Sequence, residues 1–355
     1  MLVPLGDPGS LWPTDAMRLT EHFVEILHEY HPEAGVWVAP QHFQPEPGWY
    51  DTFYEEIAKE PDWICGVCFA PWEQDSIEEL YEKLPEKYRG NIRNYPDISH
   101  NSNCQFPVEN WDMAFALTSG REGYNARPEK MKAIHNMLEP YTIGSITYSE
   151  GIHDDVNKIL WADQDFDSSV AAEETMADYA NLFIDSETSE QVAEFLMDVE
   201  HNWDGPVLEN DGIDALYESF TAFDKTVSKQ VKNNYRYQML KLRILTDYWT
   251  KQKYAKDQEL EQQARAVLDL ADITGSEAVI REARTILNLS RDVPAAEDVL
   301  FEMLKLADSL RNLCGIQLTE NHHGGQCWIR GAYLQTRSMP LNDYQYLMQS
   351  FKRIE

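Results

Sequence analysis

The sequence has few cysteines, few basic residues and no long apolar run, and each shortage excludes a class of protein. Five cysteines in 355 residues are an odd number and too few for a disulfide framework. Cys65 and Cys68 form the one C-x-x-C, inside the apolar run Ile64–Ala70. Residues three apart on a strand face opposite sides, so the pair reads as buried thiols rather than as a zinc or redox site. Lys and Arg number 30 against 61 Asp and Glu, a formal net charge of −31. Such a surface repels phosphate backbones and anionic bilayers, which excludes nucleic acid and membrane surfaces as partners. It fits a high-salt habitat, where ions screen self-repulsion, and equally an ordinary acidic protein. No segment reaches the roughly 18 consecutive apolar residues of a membrane span. The start, Met-Leu-Val-Pro-Leu-Gly-Asp, has neither the basic region nor the apolar core of a signal peptide. The expectation is a soluble protein, with location and oligomeric state unspecified.

Several motifs are also missing. No Gly-x-Gly-x-x-Gly or Walker pattern follows a strand, which argues against nucleotide binding. There is no Gly-x-Ser-x-Gly elbow of a serine hydrolase. No His-Glu-x-x-His or Cys/His spacing announces a metal, so no cofactor is expected. His322-His323-Gly324-Gly325 reads as an ordinary loop.

What is present is organised. Hydrophobic residues make up 43% of the chain, enough for sizeable cores, and the length suggests about two domains of roughly 150 residues each. The first 165 residues alternate between short apolar runs and helical patterns. Strands are predicted at Leu2–Leu5, Val36–Ala39, Ile64–Ala70, Asn91–Tyr95 and Tyr141–Thr147. Helices are predicted near Thr14–Tyr30, Trp49–Lys59, Ser76–Leu84, Trp111–Ser119, Pro128–Leu138 and Val156–Trp161. In the first helix Thr14 or Asp15 serves as N-cap and Phe23, Ile26 and Leu27 form the apolar face. Ser76 and Glu79 carry the spacing of a capping box. Five strands separated by helices imply parallel pairing, in a doubly wound sheet or part of an eightfold barrel. Beyond about 170 the periodicity is helical throughout, with expected helices at Ala171–Phe183, Ser189–Asn202, Ile213–Phe223, Val231–Tyr254, Glu259–Leu270, Ala295–Leu313 and Tyr344–Phe351.

Reactive side chains recur where the strands end: Asp7, Gln41 and His42, Trp72 and Glu73, Asp97 and His100, and Tyr148 and Glu150. Several strand ends feeding one site is the habit of β/α barrels. Carboxylates in pairs suit glycoside cleavage, which needs two of them across one sugar, one kept protonated by an apolar or negatively charged neighbourhood. Ten Trp, 18 Tyr and 13 Phe supply ample rings for sugar stacking as well as for cores. Asp112 after Trp111 suits the start of a helix.

The segments Gly6-Asp-Pro-Gly9, Pro96-Asp-Ile-Ser-His100 with Trp111-Asp112, and Tyr148-Ser-Glu-Gly-Ile-His-Asp-Asp-Val-Asn-Lys158 together resemble a glycoside hydrolase. The likeness covers about residues 1–185 and points to barrel enzymes of the β-N-acetylglucosaminidase, hyaluronidase-type and α-glucuronidase group. It implies a (β/α)8-type barrel followed by a helical domain. Within that frame the five strands are the last five of eight and Asp7 matches the position after the fourth strand; the first three strand–helix units are then missing, so that either the chain is a fragment of a longer protein or the fold closes differently. Gly6-Asp-Pro-Gly9 offers one carboxylate there, where many relatives show two adjacent.

The resulting expectation is an α/β region followed by an all-α region. Residues 1–168 form a partial TIM-type β/α barrel with about five parallel strands, and residues 169–355 a C-terminal helical domain. The expected function is glycoside hydrolysis on an oligo- or polysaccharide, including N-acetylhexosamine- or uronic-acid-containing ones. Glu150, Asp7 and Asp97 are the catalytic candidates. Gln41, Trp72, His100, Trp111, Tyr148 and His153 are the substrate-binding candidates. The alternatives are a non-catalytic carbohydrate-binding or scaffold protein built on such a barrel and, less favoured, a metal-dependent hydrolase using His100, His153 and Asp154.

Overall fold

The computed structural model describes residues 1–6, 9, 11–43, 47–98, 105–119, 124–148, 155–325, 334 and 338–354. In chain order the first elements are β1 (Leu2–Pro4), α1 (Pro13–Tyr30), β2 (Trp37–Ala39), α2 (Trp49–Ile57), β3 (Gly66–Phe69), α3 (Ile77–Lys83), α4 (Glu86–Arg89) and β4 (Ile92–Asn94). Then come α5 (Met113–Thr118), α6 (Pro128–Leu138), α7 (Asp155–Phe166), α8 (Ala172–Phe183), α9 (Ser189–His201), α10 (Gly212–Asp224) and α11 (Lys229–Lys232). The chain closes with α12 (Tyr235–Leu268), α13 (Ala271–Thr274), α14 (Ser276–Asp292), α15 (Glu297–Cys314), α16 (Glu320–His323) and α17 (Tyr344–Ile354).

Two compact units result: Met1–Pro107 with Glu129–Thr175, and Val108–Pro128 with Met176–Glu355. The later of the chain's crossings between the units falls at Thr175/Met176. Val108–Pro128, expected in the barrel region, groups instead with the helical unit. There Ala114 and Phe115 of α5 share a core with Trp203, Val207, Ile213 and Leu341. Asp112 caps α5 by accepting from Ala114 N at 2.8 Å and also accepts from Val207 N at 3.0 Å. A helix's periodicity shows that it has a buried face, not which core that face joins.

In the first unit, four parallel strands lie in the order β1-β2-β3-β4. Among the described residues the order never reverses, so the sheet shows no switch point of a doubly wound fold there. The expected fifth strand is reduced to two isolated parallel bridges, Asn94 to Ser145 and Asp97 to Tyr148. Gly144 and Ser145 supply little side chain to pack there, which weakens a strand. Among the described residues the sheet does not close into a barrel.

Strand alternation separates two faces. Ala39, Cys68 and Ala70 form a small buried cluster with Leu2, Trp37 and Tyr95, and the Arg93 guanidinium lies 3.6 Å over the Trp37 ring. Gly66 makes this possible, since a Cβ there would stand 2.1 Å from the Asn91 carbonyl oxygen and 2.4 Å from Trp37 Nε1. Val38, Val67 and Ile92, all fully buried, belong to the opposite face, which right-handed crossovers cover with helices. Cys68 is buried, as expected, and burial pushes its thiol up to about 12. Cys65 is exposed, not buried. It lies between buried Ile64 and buried Gly66, on the side of the backbone that solvent reaches.

Helix α1 departs from expectation in two ways. It begins at Pro13, and Trp12 rather than Thr14 or Asp15 occupies the N-cap position. Its buried stripe is Ala16, Met17, Thr20 and Val24, while Phe23 and Ile26 are exposed. The helix is apolar on two sides, and sequence periodicity alone chose the wrong one. The capping box at α3 forms as expected, with Glu79 N donating to Ser76 Oγ at 3.2 Å and Ser76 N to Glu79 Oε2 at 2.9 Å.

The helical unit is organised around α12, whose 34 residues span about 50 Å at 1.5 Å per residue. Sequence analysis divides this run between Tyr254 and Glu259. The intervening Ala-Lys-Asp-Gln contains no breaker, and Asp257 turns inward. It pairs with Lys253 one turn earlier and accepts from Leu341 N at 2.8 Å. Helix α14, which the sequence reading omits, packs a stripe of Ile280, Ala283 and Leu287 against Ala264, Tyr344, Leu347 and Phe351. Among the described residues no helix is long and apolar enough to cross a membrane.

Candidate functional site at the strand ends

The C-terminal edge of the sheet gathers the residues that the sequence singles out on β2, β3 and β4. Gln41 and His42 follow β2, Trp72 and Glu73 follow β3, and Asp97 follows β4. Close approach of the first two strand ends is enforced by Gly6, where a Cβ would stand 2.4 Å from the Gln41 carbonyl oxygen. Gln41 and Asp97 are buried. The Asp97 N–H donates to Gln105 Oε1 at 3.2 Å. Tyr148 lies beside this edge, its N–H donating to the Pro96 carbonyl at 2.9 Å and its ring meeting Tyr95 edge-on at 6.2 Å.

His42 and Trp72 both adopt left-handed backbone conformations, with φ of 56° and 60°. Such φ values are uncommon outside glycine and cost energy, so the surrounding structure must hold them. The result is that the two rings meet at 5.4 Å, with Trp72 about half exposed at 47%. An exposed indole fixed beside a histidine is a flat apolar platform with a polar neighbour.

The loop carrying Trp72 and Glu73 is tied down from α2. Tyr50 Oη donates to the Pro40 carbonyl at 3.3 Å and accepts from Gln74 N at 2.9 Å, which links the ends of β2 and β3. Tyr54 Oη donates to Asp75 Oδ2 at 2.6 Å, and Lys83 Nζ holds the other oxygen of Asp75 at 2.6 Å. Burial raises both tyrosine hydroxyls above their ordinary value of 10.0, so both remain neutral donors.

Glu73 is the unusual group of this edge. Its Oε1 accepts from Ala70 N at 2.8 Å. Its Oε2 is buried with no hydrogen-bond partner among the described residues. Burial raises the carboxyl well above its ordinary 4.5, the Asp75 charge adds to the rise, and the Ala70 bond opposes it. Desolvation penalises the charged form, so burial favours the protonated carboxyl over the carboxylate. Sequence reading counts Glu73 among the strand-end carboxylates but places the catalytic role on Glu150, Asp7 and Asp97. The missing signal was burial, which depends on the closure of the 71–76 loop over the strand end.

Of the expected site residues, Gln41, Trp72, Asp97 and Tyr148 lie along this edge. Trp111 belongs to the helical unit, where its ring meets Trp203 at 5.0 Å. Asp7, Glu150, His100, His153 and Asp154 lie outside the described residues. His322 and His323, read from sequence as a loop, end helix α16. With Asp308 they form the one group among the described residues able to converge on a metal ion. No protein-family model matches the chain, and comparison with the curated proteins found no match.

Proposed function

We propose that the chain is a glycoside hydrolase of partial TIM-type β/α architecture, with Glu73 as the proton donor. The observation that carries the reading is a carboxyl at the end of β3 whose Oε2 is buried without a partner among the described residues and which burial raises well above its ordinary value, next to the exposed Trp72 indole. Glycosidic oxygen is a poor leaving group until protonated, and a raised carboxylic acid beside a second, ionised carboxylate is the arrangement that cleaves it. In this reading Trp72 stacks on a sugar face and Gln41 and Tyr148 border the site. The stabilising carboxylate comes from a neighbouring strand end, with Asp97, Asp7 and Glu150 as candidates. The unreversed strand order supports winding in one direction, as in a barrel. So does the apolar strip of Leu19, Phe23, Ile26 and Tyr30 left exposed on α1, the surface that a further β/α layer would cover.

The test is hydrolysis of a panel of aryl glycosides by the parent and by Glu73→Gln. Loss of general-acid assistance should slow phenol-type leaving groups by about 10²–10⁴-fold. Activated dinitrophenyl glycosides, which need little protonation, should be spared. A parent that hydrolyses phenyl glycosides at a rate unchanged by Glu73→Gln refutes the role of Glu73. A parent without turnover that binds oligosaccharide, and loses binding on Trp72→Ala, makes the protein a non-catalytic sugar binder instead.

A further inference from the structure

Asp308, on α15, receives two imidazoles on one carboxylate oxygen. His322 Nε2 and His323 Nε2 each lie 3.0 Å from Asp308 Oδ1. One potential ligand atom from each of the three residues lies within 4.8 Å of the others. Adjacent residues on a long helix diverge by about 100°. Here the helix is a single turn that stops at Gly324, left-handed with φ of 75°, and the two rings sit 4.9 Å apart. Thr319 caps that turn, accepting from His323 N at 3.2 Å, and its hydroxyl also meets His323 Nδ1 at 3.2 Å. When Nδ1–H donates to that hydroxyl, the lone pair falls on Nε2, the atom aimed at Asp308. His323 is buried, while His322 and Asp308 are exposed at 73% and 56%.

We propose that Asp308, His322 and His323 form a mononuclear site for a divalent transition metal of the zinc class. Tetrahedral zinc at about 2.0 Å from its ligands places donor atoms about 3.3 Å apart, close to the 3.0 Å from each imidazole to Asp308, and three protein ligands leave a position for water. Two imidazoles and one carboxylate suit zinc, cobalt or nickel rather than calcium or magnesium, which prefer all-oxygen shells. The Thr319 hydroxyl orients His323 as outer partners of ligating histidines do. The site would pin the 319–324 segment to α15.

The experiment is zinc titration of the chelator-stripped full chain by calorimetry, with excess magnesium and moderate salt to suppress binding to the acidic surface. Cobalt absorption reports the geometry. One equivalent should bind, with affinity falling as the pH is lowered, because protons compete with the metal for its ligands. His322→Gln, at an exposed position, should weaken binding at least tenfold without affecting folding, and Asp308→Asn should do the same. Thr319→Val should weaken it about tenfold. No saturable zinc binding by the parent, or affinity unchanged in both His322→Gln and Asp308→Asn, overturns the proposal.

Discussion

At the scale of single residues, Glu73 shows how position converts a common side chain into a specific one. A carboxylate at a strand end is ordinary, but burial raises this one well above its usual value, with Oε2 buried and unpartnered among the described residues. Its raised value has a stability consequence. The folded state binds the proton more tightly than the unfolded chain, so stability is fully present below the ordinary carboxylate value of 4.5 and is lost as pH rises through the raised one. Glu73→Gln, which cannot ionise, should therefore stabilise the protein at pH 7 more than at pH 4. Urea unfolding at the two pH values measures this, and an equal effect at both would mean that folding does not raise the Glu73 carboxyl. Sequence reading recognised Glu73 as a strand-end carboxylate because the apolar run before it ends cleanly. It could not rank Glu73 above Asp97, because desolvation comes from chain segments that the run does not contain.

At the scale of elements, short strands and long helices were legible to different degrees. β1 to β4 were found because apolar runs bounded by Gly, Pro and polar residues leave little choice. The fifth strand was overestimated because Tyr141–Thr147 is apolar enough to pair but forms only two bridges. Helix α12 was divided in error at a polar stretch whose Asp257 is fully buried. Lys253, also buried, donates to the Ser290 carbonyl at 2.9 Å besides pairing with Asp257, and burial lowers its ammonium below the ordinary 10.5. Asp257→Ala strands this charge and should cost about 3–5 kcal/mol. Replacing both partners together, Lys253→Met with Asp257→Leu, should cost less than the single change, because the desolvation penalty disappears with the pair. Denaturant midpoints of the two variants decide it, and a double variant less stable than the single one would contradict the argument.

At the scale of the whole molecule, the net charge of −31 acts on the folded state as self-repulsion. Salt shortens the range of that repulsion, from about 30 Å at 0.01 M to about 8 Å at 0.15 M. Thermal unfolding should therefore shift to higher temperature on adding sodium chloride over that range, and a midpoint that falls would show that attractive ion pairs dominate. The same charge makes magnesium competition necessary in zinc binding, since a diffuse acidic surface attracts any cation.

The sequence by itself determined the acidic character, the alternation of strands and helices to about residue 170, the helical remainder, and the strand ends at which reactive residues collect. These follow from composition and local periodicity, which act over a few residues. Only the tertiary structure decided that the sheet has four strands, that Val108–Pro128 joins the helical core, which face of α1 is buried, that Glu73 is desolvated, and that His322 and His323 converge on Asp308. Each of these depends on groups brought together from distant parts of the chain, and burial and proximity of that kind leave no local pattern to read.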